Sequence, residues 1–104
     1  MTAPLQDRVA IITGAGQGIG ADVATVLAER GATVILNDIL ADRVEDTAAA
    51  MRARGLRAEA SVFDLTDEDD IARAVGAIAA RHGRIDIVHN NAAFQTTEQR
   101  ARGR

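Results

Sequence analysis

The chain alternates short runs of apolar residues with segments in which apolar residues recur every three or four positions. The runs predict four strands, at residues 8–13, 33–36, 58–63 and 85–89. The segments between them predict three amphipathic helices. The apolar stripes of these helices are Ile19, Val23, Val26 and Leu27; Val44, Ala48 and Met51; and Ile71, Val75, Ile78 and Ala79. Strands that alternate with helices are typical of an α/β fold with a parallel sheet.

Glycine and polar residues mark the ends of these helices. Each helix is followed by a glycine that predicts its C-terminal stop. These glycines are Gly31, Gly55 and Gly83. Thr66 is the expected N-cap of the third helix, with acidic residues behind it where the helix dipole favours them. Right-handed crossovers then give the strand order 3-2-1-4, the first half of a doubly wound sheet. We expect one domain over residues 1–94 and an irregular, arginine-rich tail over residues 95–104.

A sheet of this kind leaves one edge and part of one face uncovered. The first two helices would cover one face, whereas the third helix alone would cover the other. The fourth strand would form an open edge, which favours pairing with another chain. We therefore expect self-association through the fourth strand or through the less covered face.

Composition and charge argue against several classes of function. The net charge is −3, whereas a nucleic-acid-binding domain usually has a basic face. No apolar run is long enough to cross a membrane, and the N-terminus carries no apolar signal segment. The absence of cysteine excludes disulfides and thiolate chemistry. Two histidines, His82 and His89, are a poor basis for a metal site. We expect a cytoplasmic protein without nucleic-acid or membrane partners.

A glycine-rich turn follows the first predicted strand and leads directly into the first helix. Its sequence is Thr13-Gly14-Ala15-Gly16-Gln17-Gly18-Ile19-Gly20. A strand, a turn without bulky side chains and a helix N-terminus favour a dinucleotide pyrophosphate site, because free N–H groups face the anion. Gly14, Gly18 and Gly20 would serve the tight turn, the close approach of the pyrophosphate and the close helix–strand packing. Gln17 and Ile19 lie between them and are candidate cofactor contacts.

Asp38 comes at the carboxyl end of the second strand, which is next to the first strand in the predicted order. A carboxylate there can accept hydrogen bonds from both ribose hydroxyls of the adenosine, and it would repel a 2′-phosphate. Gln17 and Ile39, where a basic residue could favour NADP, are uncharged. Aspartate is also common in turns and caps, but the glycine turn upstream favours the ribose role. The sequence therefore predicts NAD rather than NADP as the cofactor.

Polar residues also follow the third and fourth strands. Asp64 could accept a hydrogen bond from the adenine amino group, with Leu65 packed on the base, or it could support the helix that follows. Asn90 and Asn91 lie where the strand order reverses. They could hold the loop of the first strand or contact the cofactor ribose. Both pairs of alternatives stay open.

The two histidines have alternative interpretations as well. His82 lies in the last turn of the third helix, where an interaction with the helix dipole is expected. His89 is a polar residue at the end of a predicted buried strand. It could be a general base, although an edge or solvent-facing position is the simpler interpretation.

Together these residues resemble the short-chain dehydrogenase/reductase family. The turn at residues 13–20 matches the cofactor motif of that family, and Asp38 matches the acidic residue of its NAD-preferring members. Asp64 and Leu65 match its adenine-side pair. Residues 86–93 resemble its fourth strand and Asn-Asn-Ala-Gly motif. The resemblance covers residues 5–94 and implies a Rossmann-like fold that binds a nicotinamide cofactor for hydride transfer with an alcohol or carbonyl.

The sequence departs from the family pattern in several residues. His89 replaces an apolar residue, and Ala93 replaces the glycine of the Asn-Asn-Ala-Gly motif. The family relies on a Ser-Tyr-Lys catalytic set downstream of the fourth strand, and the 104 residues contain neither Tyr nor Lys. No catalytic residue is assigned.

The resemblance therefore implies the NAD-binding half of an oxidoreductase, truncated, frameshifted or excised, and inactive alone. Two alternatives are a stand-alone nucleotide-binding module and an interaction fragment that associates through its open edge. A less favoured alternative is residual activity with His89 or a partner residue as acid/base.

Overall fold

The computed structural model describes residues 4–16 and 18–90, in which four strands alternate with three helices. The elements are β1 (Val9–Thr13), α1 (Gly18–Glu29), β2 (Thr33–Asn37), α2 (Ala41–Ala53), β3 (Ala58–Ser61), α3 (Glu68–His82) and β4 (Ile87–Asn90). The predicted order of elements is confirmed. The predicted tail at residues 95–104 lies outside the described residues. Within them, no helix combines the length and apolar character needed to cross a bilayer.

The four strands form one parallel sheet in the order β3-β2-β1-β4, which confirms the predicted Rossmann-like arrangement. Ile11 of β1 lies in register with Ile35 of β2 on one side and with Val88 of β4 on the other. Partners in register point to the same face of a sheet. These three side chains therefore share one face, whereas the next residue of each strand points to the opposite face.

The helices cover the two faces unequally. The larger core lies between the sheet and the pair α1 and α2, and it contains Ile12, Leu36, Val44 and Met51 among its buried residues. The opposite face has a smaller cluster in which Ile78 of α3 meets strand residues. The buried strand residues of that cluster are Val9, Ile11 and Ile35. The predicted division of the helices between the faces is confirmed.

The buried face of α1 differs from the predicted one. It consists of Gly20, Ala24 and Ala28. Ile19 and Val26 are exposed, and Val23 and Leu27 are half-buried. Small residues four positions apart let the helix backbone lie close to the strands, which excludes larger side chains from the contact. The predicted stripe was therefore wrong for the two exposed residues.

The third helix begins one residue later than predicted. Asp67 is its N-cap, and its Oδ1 accepts hydrogen bonds from the N–H groups of Asp69 (3.0 Å) and Asp70 (3.2 Å). The prediction of Thr66 as the cap was wrong because the hydroxyl and N–H of Thr66 are both directed to Asp64. Gly83 ends the helix in the left-handed region, as predicted.

The apolar stripe of α3 is also shifted by one position at its end. Ala74 and Ile78 are buried, and Ile71 and Val75 are half-buried. Ala79 is exposed, contrary to the prediction, because one further residue turns the side chain about 100° away from the stripe. The contact of α3 with the sheet therefore depends on one large buried side chain.

A carboxylate fastens the start of β4 to the start of β1. Asp86 Oδ2 accepts a hydrogen bond from the N–H of Val9 (2.9 Å), and the N–H of Asp86 donates to the carbonyl of Val9 (2.9 Å). Arg84 and Arg8 also donate to this carboxylate. The hydrogen bonds from Arg84, followed by that from Val9, hold the pKa of Asp86 well below its usual range. Polar contacts therefore hold this end of the edge strand.

Candidate functional site

The parallel strands bring the candidate residues to one edge of the sheet. β1, β2 and β4 end at Thr13, Asn37 and Asn90. Gly14 and Asp38 follow the first two of these ends. In an open α/β sheet, ligands bind in the crevice outside the carboxyl ends of the strands. Gln17 and Asn91, which the sequence also assigns to this site, lie outside the described residues.

Hydrogen bonds from β2 and α2 hold the glycine turn. The N–H of Ala15 donates to the carbonyl of Asn37 (2.9 Å), and the N–H of Gly16 donates to Asp38 Oδ2 (3.1 Å). The carbonyl of Gly16 accepts a hydrogen bond from Thr47 Oγ1 on α2 (2.7 Å). Two consecutive residues of the turn are thereby fixed from two other elements.

Gly16 occupies the tightest position of the turn. A Cβ atom added there would lie 2.6 Å from Asp38 Oδ2 and 2.9 Å from the Cβ of Arg43. The carboxylate could move, but Arg43 Cβ is fixed to the α2 backbone. Gly16 is thus the glycine that lets β2 and α2 close on the turn. No role was predicted for Gly16 from the sequence, although it belongs to the glycine motif.

The remaining glycines of the motif have different surroundings. Gly18 is the first residue of α1, with φ of 65°, and a Cβ added there would meet nothing within 4 Å. Gly14 also has a positive φ, and Gly20 is buried in the face of α1 that packs on the sheet. Ile19 is 72% exposed. The N-terminus of α1 therefore faces open space, with its first N–H groups lacking acceptors within the helix.

The Asp38 carboxylate is oriented toward the turn by two backbone donors. Its Oδ2 accepts from Gly16, and its Oδ1 accepts from the N–H of Leu40 (3.2 Å). The residue is half-buried. A carboxylate oxygen can accept more than one hydrogen bond, so both oxygens keep capacity for a further donor such as a hydroxyl.

Asp64 is engaged with the start of α3. Its Oδ1 accepts from Thr66 Oγ1 (2.7 Å) and from the N–H of Thr66 (2.9 Å), and these bonds lower the pKa of Asp64. Its own N–H donates to Asp70 Oδ2 (2.8 Å). This bond, together with Arg73, lowers the pKa of Asp70. Leu65 is half-buried beside it. The contacts correspond to the helix-supporting alternative, and Asp64 Oδ2 lies outside these bonds.

Asn90 contacts the first strand. Its Oδ1 accepts a hydrogen bond from Thr13 Oγ1 (2.9 Å). This contact corresponds to the alternative in which the asparagine holds the loop after β1. It places an exposed amide beside the glycine turn.

Asn37 is a residue of this edge that the sequence analysis did not single out. It is 1% exposed, and its Nδ2 donates to the carbonyls of Ser61 (3.2 Å) and Phe63 (3.1 Å). The amide therefore fixes the segment that leaves β3 to the end of β2. An asparagine that closes an otherwise apolar strand was the available signal.

The two histidines lie on different elements, His82 at the end of α3 and His89 in β4. His82 Nε2 contacts Glu59 Oε2 of β3, so its contact is with a carboxylate and not only with the helix end. His89 is half-buried in β4, in register with Ile12. It therefore points to the face covered by α1 and α2.

Comparison with known proteins agrees with this geometry. The family model described as short chain dehydrogenase matches residues 8–103. The chain is 45% identical over 86 residues to a cis-4-hydroxycyclohexanecarboxylate dehydrogenase of Sinomonas cyclohexanicum, which is 83% of this chain and 34% of that protein.

Two solved structures of oxidoreductases also resemble this chain. A hydroxysteroid dehydrogenase from Escherichia coli has a TM-score of 0.83 and 34% identity, over 89% of this chain and 40% of that one. A metagenomic short-chain oxidoreductase in complex with NADP also has a TM-score of 0.83, with 37% identity over 86% of this chain and 41% of that one.

The chain spans about a third of the length of the cis-4-hydroxycyclohexanecarboxylate dehydrogenase and of several other curated relatives. The family to which these relatives belong binds nicotinamide cofactors. The match over residues 8–103, the strand order and the glycine turn together show that the chain belongs to the short-chain dehydrogenase family.

Proposed function

We propose that this chain is the NAD-binding part of an oxidoreductase that transfers hydride between NAD and an alcohol or carbonyl group. The observation that carries the proposal is the Asp38 carboxylate, which two backbone N–H groups hold beside the glycine turn. A fixed acceptor next to a helix N-terminus suits a ligand that combines hydroxyl groups with phosphates.

The described residues fit such a dinucleotide. The pyrophosphate would lie against the N-terminus of α1, where Gly18 leaves open space. Asp38 would accept from the adenosine ribose, and the exposed Ile19 would contact the cofactor from α1. When bound, the nicotinamide supplies the hydride chemistry, whereas the chain binds and orients the cofactor.

The other predicted contacts belong to the same proposal. Asp64 and Leu65 would lie on the adenine side, and Asp64 would use the oxygen that Thr66 leaves available. Asn90 would present its amide beside the turn while it holds Thr13. Gln17 and Asn91 complete the predicted set.

The preference for NAD over NADP depends on Asp38. A 2′-phosphate on the ribose would bring at least one further negative charge next to the Asp38 carboxylate. Like charges in contact repel each other, so NADP should bind more weakly than NAD. One structural neighbour was solved with NADP, so membership of the family does not select the cofactor by itself. We assign the preference for NAD over NADP to Asp38.

Hydride transfer needs a positioned acid/base beside the nicotinamide. The 104 residues contain neither Tyr nor Lys, so we assign cofactor binding to them and no catalytic residue. A stand-alone nucleotide-binding module would show the same binding, and hydride transfer by the chain itself would favour the alternative with His89 as acid/base.

The test is a calorimetric titration of the chain with NAD and with NADP. Asp38→Ala should weaken NAD binding about 10- to 150-fold, because it removes a hydrogen-bond acceptor that carries a charge. Asp46→Ala is the matched control, since Asp46 is an exposed carboxylate on α2. Its removal changes the net charge equally without touching the turn.

Three results would contradict the proposal. The wild-type chain would fail to bind NAD, NADP would bind as tightly as NAD, or Asp38→Ala would bind NAD like the control. The first result removes the whole proposal, whereas the other two remove only the role of Asp38.

A second function, self-association, is favoured by Val88. This side chain is 65% exposed although it lies on the same face as the buried Ile11 and Ile35. We propose that two copies of the chain meet through β4. Light scattering at increasing concentration should show dimers or larger species, and Val88→Asp should reduce them. A monomer at all concentrations would contradict this second function.

A further inference from the structure

The hydrogen bond from Thr47 to the glycine turn joins residues 31 positions apart in the chain. Thr47 lies on α2, and the buried side chains of Val44 and Ala48 fix this part of the helix to the sheet. The backbone of Thr47 therefore has a position set by the core. At 2.7 Å from the Gly16 carbonyl, it makes a short and half-buried bond.

A second threonine, in α1, makes a different hydrogen bond. Thr25 of α1 donates its hydroxyl to the carbonyl of Ala21, four residues earlier in the same helix (2.9 Å). This local bond is common for threonine inside helices. Thr47 instead donates to another element, so its hydroxyl connects α2 to the turn.

The Gly16 carbonyl belongs to a planar peptide group. A donor on this carbonyl therefore restrains the rotation of the peptide group to which the carbonyl belongs. The N–H of the same residue is held by Asp38 on the other side. Both polar groups of Gly16, its N–H and its carbonyl, are therefore hydrogen-bonded within the chain.

We propose that Thr47 is a positioning residue that sets the glycine turn for the cofactor through the carbonyl of Gly16. The inference rests on the proposed function, because it assigns the turn to pyrophosphate binding. Preorganisation of this kind strengthens binding because less conformational freedom is lost when the ligand binds.

The first test compares NAD affinity in three variants by calorimetry. Thr47→Val keeps the shape and removes the hydroxyl, and it should weaken binding about 5- to 10-fold, the effect of one hydrogen bond. Thr47→Ser keeps the hydroxyl and should remain within about twofold of the wild type. Thr25→Val removes the hydroxyl that bonds within α1 and should leave the affinity unchanged.

The second test needs no cofactor. Amide hydrogen exchange should be about tenfold faster at Ala15 and Gly16 in Thr47→Val, because the turn opens more often. Amides of β2 should exchange as in the wild type, and Thr47→Ser should restore the slow exchange of the turn. Rescue by serine separates positioning of the turn from general destabilisation.

The two tests keep the inference separate from the proposed function. A wild-type chain that does not bind NAD contradicts the proposed function, while the exchange at Gly16 still decides whether Thr47 holds the turn. Unchanged exchange in Thr47→Val, equal loss of affinity in Thr25→Val, or failure of Thr47→Ser to rescue would each overturn the role of Thr47.

Discussion

The two sides of the sheet are held by different kinds of interaction. On the side of α1 and α2, most of the contact is between buried apolar side chains. On the side of α3, the apolar cluster is small, and carboxylates bond at both ends of the helix. Asp67 caps its start, Asp64 holds the turn before it, and Asp86 fastens the strand that follows it.

This difference separates a side whose stability should vary little with pH from one whose stability depends on pH. Burial of apolar surface is non-directional and does not involve titration. Hydrogen bonds to carboxylates depend on the ionisation of the carboxylates and on local geometry. We therefore expect α1 and α2 to stay folded under conditions in which α3 loosens, and the following experiments test that expectation.

The largest effect is expected from the larger core. Leu36→Ala removes a fully buried side chain on the α1 and α2 side and should lower the free energy of unfolding by about 2–5 kcal/mol. Ile78→Ala on the α3 side should lie at the lower end of this range, because fewer buried residues surround it and the site can collapse. Urea unfolding followed by circular dichroism measures both values. Equal losses would remove the proposed difference between the sides.

A smaller effect is expected from the cap of α3. Asp67→Ala removes the acceptor for the N–H groups of Asp69 and Asp70 and should lower stability by about 0.5–2 kcal/mol. Amide exchange should increase in α3 while the amides of α2 stay protected. Asp69→Ala, which removes a charge from the same turn, is the control. An equal effect of the control would show that charge, and not the cap, matters.

An effect of opposite sign is expected inside α3. Gly76 lies in the helix, and a Cβ added there meets nothing within 4 Å. Gly76→Ala should therefore raise the free energy of unfolding by about 0.4–1 kcal/mol, because alanine restricts the unfolded chain and favours the helix. Ala77→Gly at the next exposed position should lower it by a similar amount. Stabilisation of α3 by Gly76→Ala should slow exchange on that side of the sheet only.

The last prediction concerns the carboxylates of the α3 side, which should make stability change little with pH near neutrality and fall in acid. The folded chain lowers the pKa of Asp64, Asp70 and Asp86. Their stabilisation is therefore complete above about pH 4, the ordinary aspartate value, and is lost as the pH falls below it. Exchange measured at pH 7 and pH 3 should show α3 and β4 opening before α1 and α2. Asp86→Asn should weaken this dependence, and uniform opening of the chain would contradict it.

The order of elements and the strand order could be predicted because they depend on local patterns and on the handedness of crossovers. The position of Asp38 at the carboxyl end of β2 follows from the same topology. The buried face of α1 could not be predicted from hydropathy, which ranks isoleucine above alanine. That face is set by how closely the helix approaches the sheet, so Ala24 is buried and Ile19 is exposed.

The contacts that hold the site were less predictable than its location. Thr47 reaches Gly16 across 31 positions of the chain, and no periodic pattern marks such a pair. The shift of the α3 cap from Thr66 to Asp67 depends on Asp64, which takes both donors of Thr66. In both examples, several polar groups could form the hydrogen bond. The sequence alone does not show which pair forms it.

The buried amide of Asn37 sets a narrow requirement for transplanting or redesigning this segment. One nitrogen serves two carbonyl oxygens that are two residues apart, those of Ser61 and Phe63. Aspartate has nearly the same shape but would turn acceptors toward both oxygens, and leucine would leave both without a donor. A design that reuses this edge of the sheet should therefore keep residue 37 as asparagine, even where the residues of the proposed site are changed.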